Sequence, residues 1–136
     1  MSYGASSALQ AAVFQTLKDD AALVGLVGAA IHDEMPPGPV TGTLVSLGEG
    51  EVRDLSDISG GLGDHRFDIS VISDAEGFAA AKAAAEAVSD ALVGAAPALS
   101  RGRVVNLSFV RARARRVRAG QIRRIDMTFR AIVEDN

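Results

Sequence analysis

The side chains in this sequence best suited to chemistry are its arginines and carboxylates, and they are sorted along the chain. Residues 100–136 carry 10 Arg and 3 Asp/Glu, a net of +7, whereas residues 1–99 carry 4 Lys/Arg and 14 Asp/Glu, a net of −10, which together give the −3 of the whole chain. Arg111, Arg113, Arg115, Arg116 and Arg118 run toward one turn, and Arg123 and Arg124 return from it. Like charges on neighbouring strands repel unless they meet anions. A guanidinium fork pairs in two places with a carboxylate or phosphate, so the segment is a candidate surface for an acidic protein or a polyanion. The front of the chain supplies an acidic counterpart in Glu49, Glu51, Asp54 and Asp57. A head-to-tail contact, with the arginines of one copy on the carboxylates of the next, uses both. Free nucleic acid is the less favoured partner. The acidic majority repels phosphate at long range, and no aromatic residues interleave with the arginines to stack on bases.

The remaining reactive side chains form no catalytic constellation. His32 and His65 are the two histidines, and neither sits in a metal-binding spacing such as HExxH. Glu49 with Glu51, and Asp54 with Asp57, are paired carboxylates, but their spacing is not that of a calcium loop. Ser59-Gly60-Gly61-Leu62-Gly63 lacks the Lys-Ser/Thr that completes a phosphate loop. No Gly-x-Ser-x-Gly elbow occurs, and there is no cysteine. The expectation is no catalytic residue, no cofactor and no metal.

The size of the chain, 136 residues, predicts one domain over 1–136. Met1 to Ala12 has neither the basic flank nor the apolar run of a signal peptide, and no stretch of 18 apolar residues is present. Folding in a reducing cytoplasm, with no membrane partner, is expected.

The elements that must position the charges follow from periodicity. Leu9, Val13 and Leu17 recur every four residues, predicting a helix from a Ser6 or Ser7 cap to about Lys18. Asp20 caps a short second helix, Ala21 to Val27, which ends at Gly28. Ile31 begins an extended stretch, and Met35-Pro36-Pro37-Gly38-Pro39 is irregular. Thr43 to Val52 reads as a strand and 53–63 as a loop. The acidic, glycine-rich stretch 49–64 is expected to order on contact with a partner. His65, Phe67, Ile69 and Val71 alternate with Arg66, Asp68 and Ser70, the pattern of a half-buried antiparallel strand. Ser73 or Asp74 then caps a helix to Val93, with Phe78, Ala81, Ala85, Val88 and Leu92 on its buried stripe. Two long strands close the chain, Arg103–Val117 and Gln121–Val133, turning at Arg118-Ala119-Gly120. The apolar parity of the first switches from Leu107 and Phe109 to Val110, Ala112 and Ala114. That switch predicts a β-bulge near Phe109-Val110, which places Arg111, Arg113 and Arg115 on the exposed face. The fold class expected is α+β: a four-stranded antiparallel sheet with two main helices packed on one face, a polar open face and a long C-terminal β-hairpin.

This pattern resembles the phage tail-completion and tail-terminator proteins over almost the whole length. The resemblance lies in the front helix with Asp20, Leu23, Leu26, Gly28 and Ile31, in the strand His65 to Ser73, and in Gly77 with the helix from Phe78 to Leu92. The junction from Val71 to Gly77 and the closing pair of strands fit as well. The composition, rich in alanine and arginine, is similar to the version carried by a gene transfer agent, a domesticated phage-like particle. The resemblance implies a structural protein without catalysis: a ring, typically of six copies, that caps the tail tube and docks to the neck or head-tail connector. It implies that DNA transits the ring without sequence-specific binding, and that the protein leaves the cell in the tail or neck of the released particle. Another neck or tail-completion subunit, or a nucleic-acid-binding module using the arginine hairpin, are the alternatives.

Overall fold

The computed structural model describes residues 3–55 and 61–135. Asp57 and Ser59-Gly60 lie outside the described residues. Three helices and five strands follow in the order α1 (Ser6–Asp19), α2 (Ala21–Val27), β1 (Ile31–His32), β2 (Thr43–Asp54), β3 (Leu62–Ser73), α3 (Ala79–Leu92), β4 (Arg103–Val117) and β5 (Ile122–Glu134). The sheet order is β1-β2-β3-β5-β4. β2, β3, β5 and β4 are antiparallel neighbours. β1 adds a fifth, parallel strand through Ile31↔Val45 and His32↔Ser46. The sheet is therefore five-stranded and mixed, not four-stranded and antiparallel. Ile31 begins an extended stretch as expected, but two residues carry no periodicity that would mark them as a strand of the sheet.

The helices lie on one face. Leu9, Val13 and Leu17 of α1, Leu23 of α2, and Ala81, Ala84, Val88 and Leu92 of α3 pack against Ile69, Val71, Met127, Phe129 and Val133 of the sheet. Phe129 is fully buried and stacks on Phe67 with ring centroids 5.9 Å apart. Alanines on α3 allow close approach to the sheet at no cost in helix propensity.

The helix ends differ from expectation in their chemistry. Asp20 caps α2 as predicted, accepting from the Leu23 N–H at 3.0 Å. No side chain caps α1 or α3. Ser73 and Asp74 serve the sheet instead. Ser73 Oγ lies 2.8 Å from Thr43 Oγ1 and accepts from the Ala75 N–H, while Asp74 accepts from the Gly42 N–H. The helix consequently begins at Ala79, with Phe78 only partly buried ahead of it.

Both ends of the stretch expected as a loop, 53–63, are strand: Arg53 and Asp54 close β2, and Leu62 and Gly63 open β3. β2 bulges between Leu47 and Gly50, where Gly48 and Glu49 together oppose Asp68. β4 bulges at Val110, as its parity switch predicts, and also at Val105. The open face is not polar throughout. Val40, Leu44, Ile72 and Ile122 form a second small core at one end of it, beneath the irregular segment after β1.

Candidate functional site

The open face carries a ladder of charge that runs from acidic to basic across the sheet. Strand register fixes its rows. Ser46, Ser70, Asp126 and Arg113 form one row, and Leu44, Ile72, Arg124 and Arg115 the next. On the other side, Asp68, Thr128 and Arg111 form a third, with Glu49 at its β2 end. A fourth holds Glu51, Arg66, Arg130 and Ser108.

Asp126 is the hub of this face. It accepts from Ser70 Oγ at 2.6 Å and from Arg124 Nε at 2.8 Å, and it pairs with Arg115 Nη2 at 3.2 Å. Partial burial opposes its ionisation. The hydrogen bonds from Ser70 and Arg124, the charge of Arg124 and the bond from Arg115 outweigh that and hold the carboxyl below the usual range. Arg124 also reaches Ser70 Oγ at 3.3 Å. Beside this hub, Thr128 Oγ1 donates to Asp68 at 2.7 Å. Asp64 is buried at 5% exposure and lies 3.0 Å from Arg130 Nε and 3.7 Å from Arg66 Nε. The Arg130 contact is an ion pair without hydrogen-bond alignment, since neither atom finds a directed partner.

Four of the seven predicted arginines therefore share one face: Arg111, Arg113, Arg115 and Arg124. Arg116 and Arg123 are cross-strand neighbours on the opposite face, where Arg123 donates to the Gly120 carbonyl at 2.6 Å. Arg118 sits at the turn in the left-handed region, φ 53°. Arg111, Arg113, Arg116 and Arg118 are exposed and make no ion pair within the described residues, whereas Arg115 and Arg124 are bound to Asp126. Of the acidic set, Glu49 and Glu51 are on β2, exposed, and share a surface depression with Arg111. Glu51 pairs with Arg53 at 2.7 Å. Asp54 ends β2 opposite Gly63. Three strand spacings, roughly 14 Å, separate β2 from β4, so Glu49 and the β4 arginines do not pair within one chain.

Sequence reasoning missed Asp126, Asp64 and Asp68. Their signal was the period-2 alternation of β3 and β5, which sets Asp64, Arg66 and Asp68 opposite Ile132, Arg130 and Thr128 once the register is known. The arrangement offers guanidinium and carboxylate groups suited to ionic contact. Among the described residues no group of three or more His, Cys, Asp or Glu is placed to hold a metal. No helix among them is long and apolar enough to cross a membrane.

On the opposite face His65 is buried at 2% exposure, and its Nε2 has no hydrogen-bond partner among the described residues. It lines a cavity of about 100 Å³ beneath the start of α1, with Ser6, Gln10, Val52 and Phe67. Desolvation holds its pKa below the usual value, against the raising effect of Asp64 and Asp135.

Comparison with known proteins gives the fold a setting. A family model described as tail completion protein gp17 matches residues 11–134. Among solved structures, a chain of the virion of a native gene transfer agent particle superposes with a TM-score of 0.90. It is 61% identical, over 98% of this chain and 99% of that one. No curated protein matches the chain.

Proposed function

The chain belongs to the tail completion protein gp17 family, a structural and non-enzymatic family, and on that premise we propose that it is the tail terminator of a gene-transfer-agent-like particle. In this reading it is a subunit of the tail of a released phage-like particle. Copies form a ring, six in number, that caps the tail tube and joins it to the neck. DNA passes through the ring without sequence-specific contact. The observation that carries the reading is the likeness to a gene transfer agent virion chain at 61% identity over nearly the full length of both.

The charge ladder supplies the means of assembly. Arg111, Arg113, Arg115 and Arg124 of one copy, which share the open face, meet Glu49 and Glu51 of the next copy, or carboxylates of a tail or neck partner. Arginine suits such contacts because its fork binds carboxylate in two places. A second reading, nucleic-acid contact by the exposed arginines, is favoured by the four that make no ion pair within the described residues. It predicts a steep loss of DNA affinity with salt.

Electron microscopy of particles from cells lacking this gene tests the terminator reading. Filled heads without tails, or tails of uncontrolled length, are expected. Normal tailed particles would overturn it.

A further inference from the structure

The sheet ends in two open strand edges of opposite charge. β1 covers β2 only at Val45 and Ser46. Among the described residues no strand lies beside β2 from Leu47 to Asp54 on its side away from β3. At the other end β4 pairs, among the described residues, with β5 alone. The Gly94 N–H takes up the Leu107 carbonyl at 2.9 Å, which leaves the β4 edge open from Ser108 to Val117.

We infer that these two edges pair with each other between copies, with 108–117 of one chain antiparallel to 47–54 of the next, so that the sheet runs on from subunit to subunit. The inference rests on the ring reading above and specifies how the copies meet.

Strand direction supports it. β2 and β5 run one way, and β3 and β4 the other. Rotation about an axis roughly along the strands preserves direction. It therefore sets β4 beside the neighbouring β2 as an antiparallel pair, with all helices on one side.

Side-chain alternation also matches. On β4, Arg111, Arg113 and Arg115 point to the open face, while Ala112 and Ala114 point to the helix side with Phe109. On β2, Glu49 and Glu51 point to the open face, while Gly50 and Val52 point to the helix side. Antiparallel pairing sets arginine against glutamate on one face and small apolar groups together on the other. Glu49, like Arg111 and Arg113, has no ion pair of its own within the described residues.

Bulges and charged side chains commonly blunt a free edge against aggregation. Here the β4 edge carries arginine alone, and the β2 edge carries Glu49, Glu51 and Asp54 against a single cation, Arg53, which pairs with Glu51. Arginine rows forbid β4 on β4 and glutamates disfavour β2 on β2, and the same charges select β4 on β2. The two edge bulges at Gly48-Glu49 and at Val110 also flank one row, Asp68–Thr128, so both edges bend at the same level. A closed sheet with helices on one face puts the bulkier helical layer on the longer outer circumference. The open face, with Arg113, Arg115, Arg124 and Asp126, then lines the channel.

The chain has no cysteine, so engineered disulfides report the contact directly. Chains carrying Arg113→Cys with Glu49→Cys, or Arg113→Cys with Glu51→Cys, replace the native protein in particle-producing cells. Purified particles are oxidised and run on a non-reducing gel. A ladder reaching well beyond dimer is expected from one of the two pairs, with monomer from each single variant. A ring seen by microscopy with no ladder from either pair would overturn the edge pairing and leave the ring reading standing. Dimer from Arg113→Cys alone would overturn it too, by showing that β4 pairs with itself. Absence of any ring in native particles would instead overturn the ring reading. If the cysteine variants do not incorporate, the charge swap decides. Arg113→Glu abolishes incorporation, and adding Glu49→Arg and Glu51→Arg restores it. Failure of that rescue, with the variants folded by circular dichroism, overturns the pairing.

Discussion

Thr128 donates a 2.7 Å hydrogen bond to Asp68 across the centre of the sheet, on the row where both outer strands bulge. Gly48 and Glu49 on β2 oppose Asp68, and Val110 on β4 falls beside Thr128. A bulge adds a residue, bends its strand and sharpens the twist. The central pair β3–β5 stays in unbroken register from Leu62↔Glu134 to Ser73↔Arg123. The sheet thus has a regular spine and two bent edges, and the charged groups of the open face are arranged about that spine.

Asp126 is predicted to set the acid limit of stability. Its carboxyl is held below the usual range by Ser70, Arg124 and Arg115. A depressed folded-state pKa contributes stability above the unfolded value, lost as pH falls through the folded one. Denaturant titrations from pH 6 downward should show this loss, and Asp126→Asn should flatten it. At neutral pH the same substitution should cost about 1 kcal/mol, because the site is only partly buried and water still screens its ion pairs. An unchanged acid limb in Asp126→Asn would place the responsible group elsewhere.

His65 should act at higher pH. Burial favours its neutral form and lowers its pKa. The unfolded chain then binds more protons than the folded one below about pH 6.5, the ordinary histidine value. Stability is full above that pH and falls as pH drops toward the folded pKa. His65→Gln removes the titration, so its stability should be level between pH 7 and 5 while the parent declines. Equal slopes for both proteins would show that His65 does not titrate there.

How much of this was legible in the sequence depends on whether a feature is local. Asp20 and Gly28 fixed the bounds of α2, because a cap and a left-handed terminus are short-range signals. The bulge at Val110 was readable because apolar parity changes there. The bulge at Val105 was hidden, since Val104 and Val105 are both apolar. Arg53 and Asp54 read as loop because no apolar alternation continues past Val52. The structure keeps Gly50 because a Cβ there would lie 3.2 Å from the Arg66 carbonyl. The row of arginines on β4 follows from period 2 alone. The hub at Asp126 does not, since it needs the register of β5 against both β3 and β4, which turns and bulges decide together.

The hairpin turn offers a gain in stability. Arg118 and Ala119 adopt φ 53° and 56°, and Gly120 follows at 83°. The left-handed region costs a non-glycine residue about 1–2 kcal/mol. Replacing Arg118 and Ala119 by Asn and Gly suits that conformation. The added freedom of glycine in the unfolded chain offsets part of the relief. A net gain of about 1 kcal/mol is expected, measured as a higher denaturant midpoint with unchanged slope. A loss would mean that Arg118 makes a contact worth more than its backbone strain.

Reversing Arg113 and Arg115 together to Glu should separate folding from assembly. Both side chains are exposed on the open face. Arg113 has no ion pair within the described residues, so its reversal removes no salt bridge, although it sets a second carboxylate beside Asp126. Arg115 gives up its 3.2 Å pair with Asp126, which retains Arg124 and Ser70. The double variant should therefore fold with a loss of about 1–2 kcal/mol, within what surface charge changes produce. The same change puts two carboxylates where an acidic neighbour is expected, and like charges across an interface cost several kcal/mol. Circular dichroism should match the parent, while particles carrying the variant should lack the ring. A variant that fails to fold would show that Arg115 is structural. A folded variant that still assembles would show that this face takes no acidic partner.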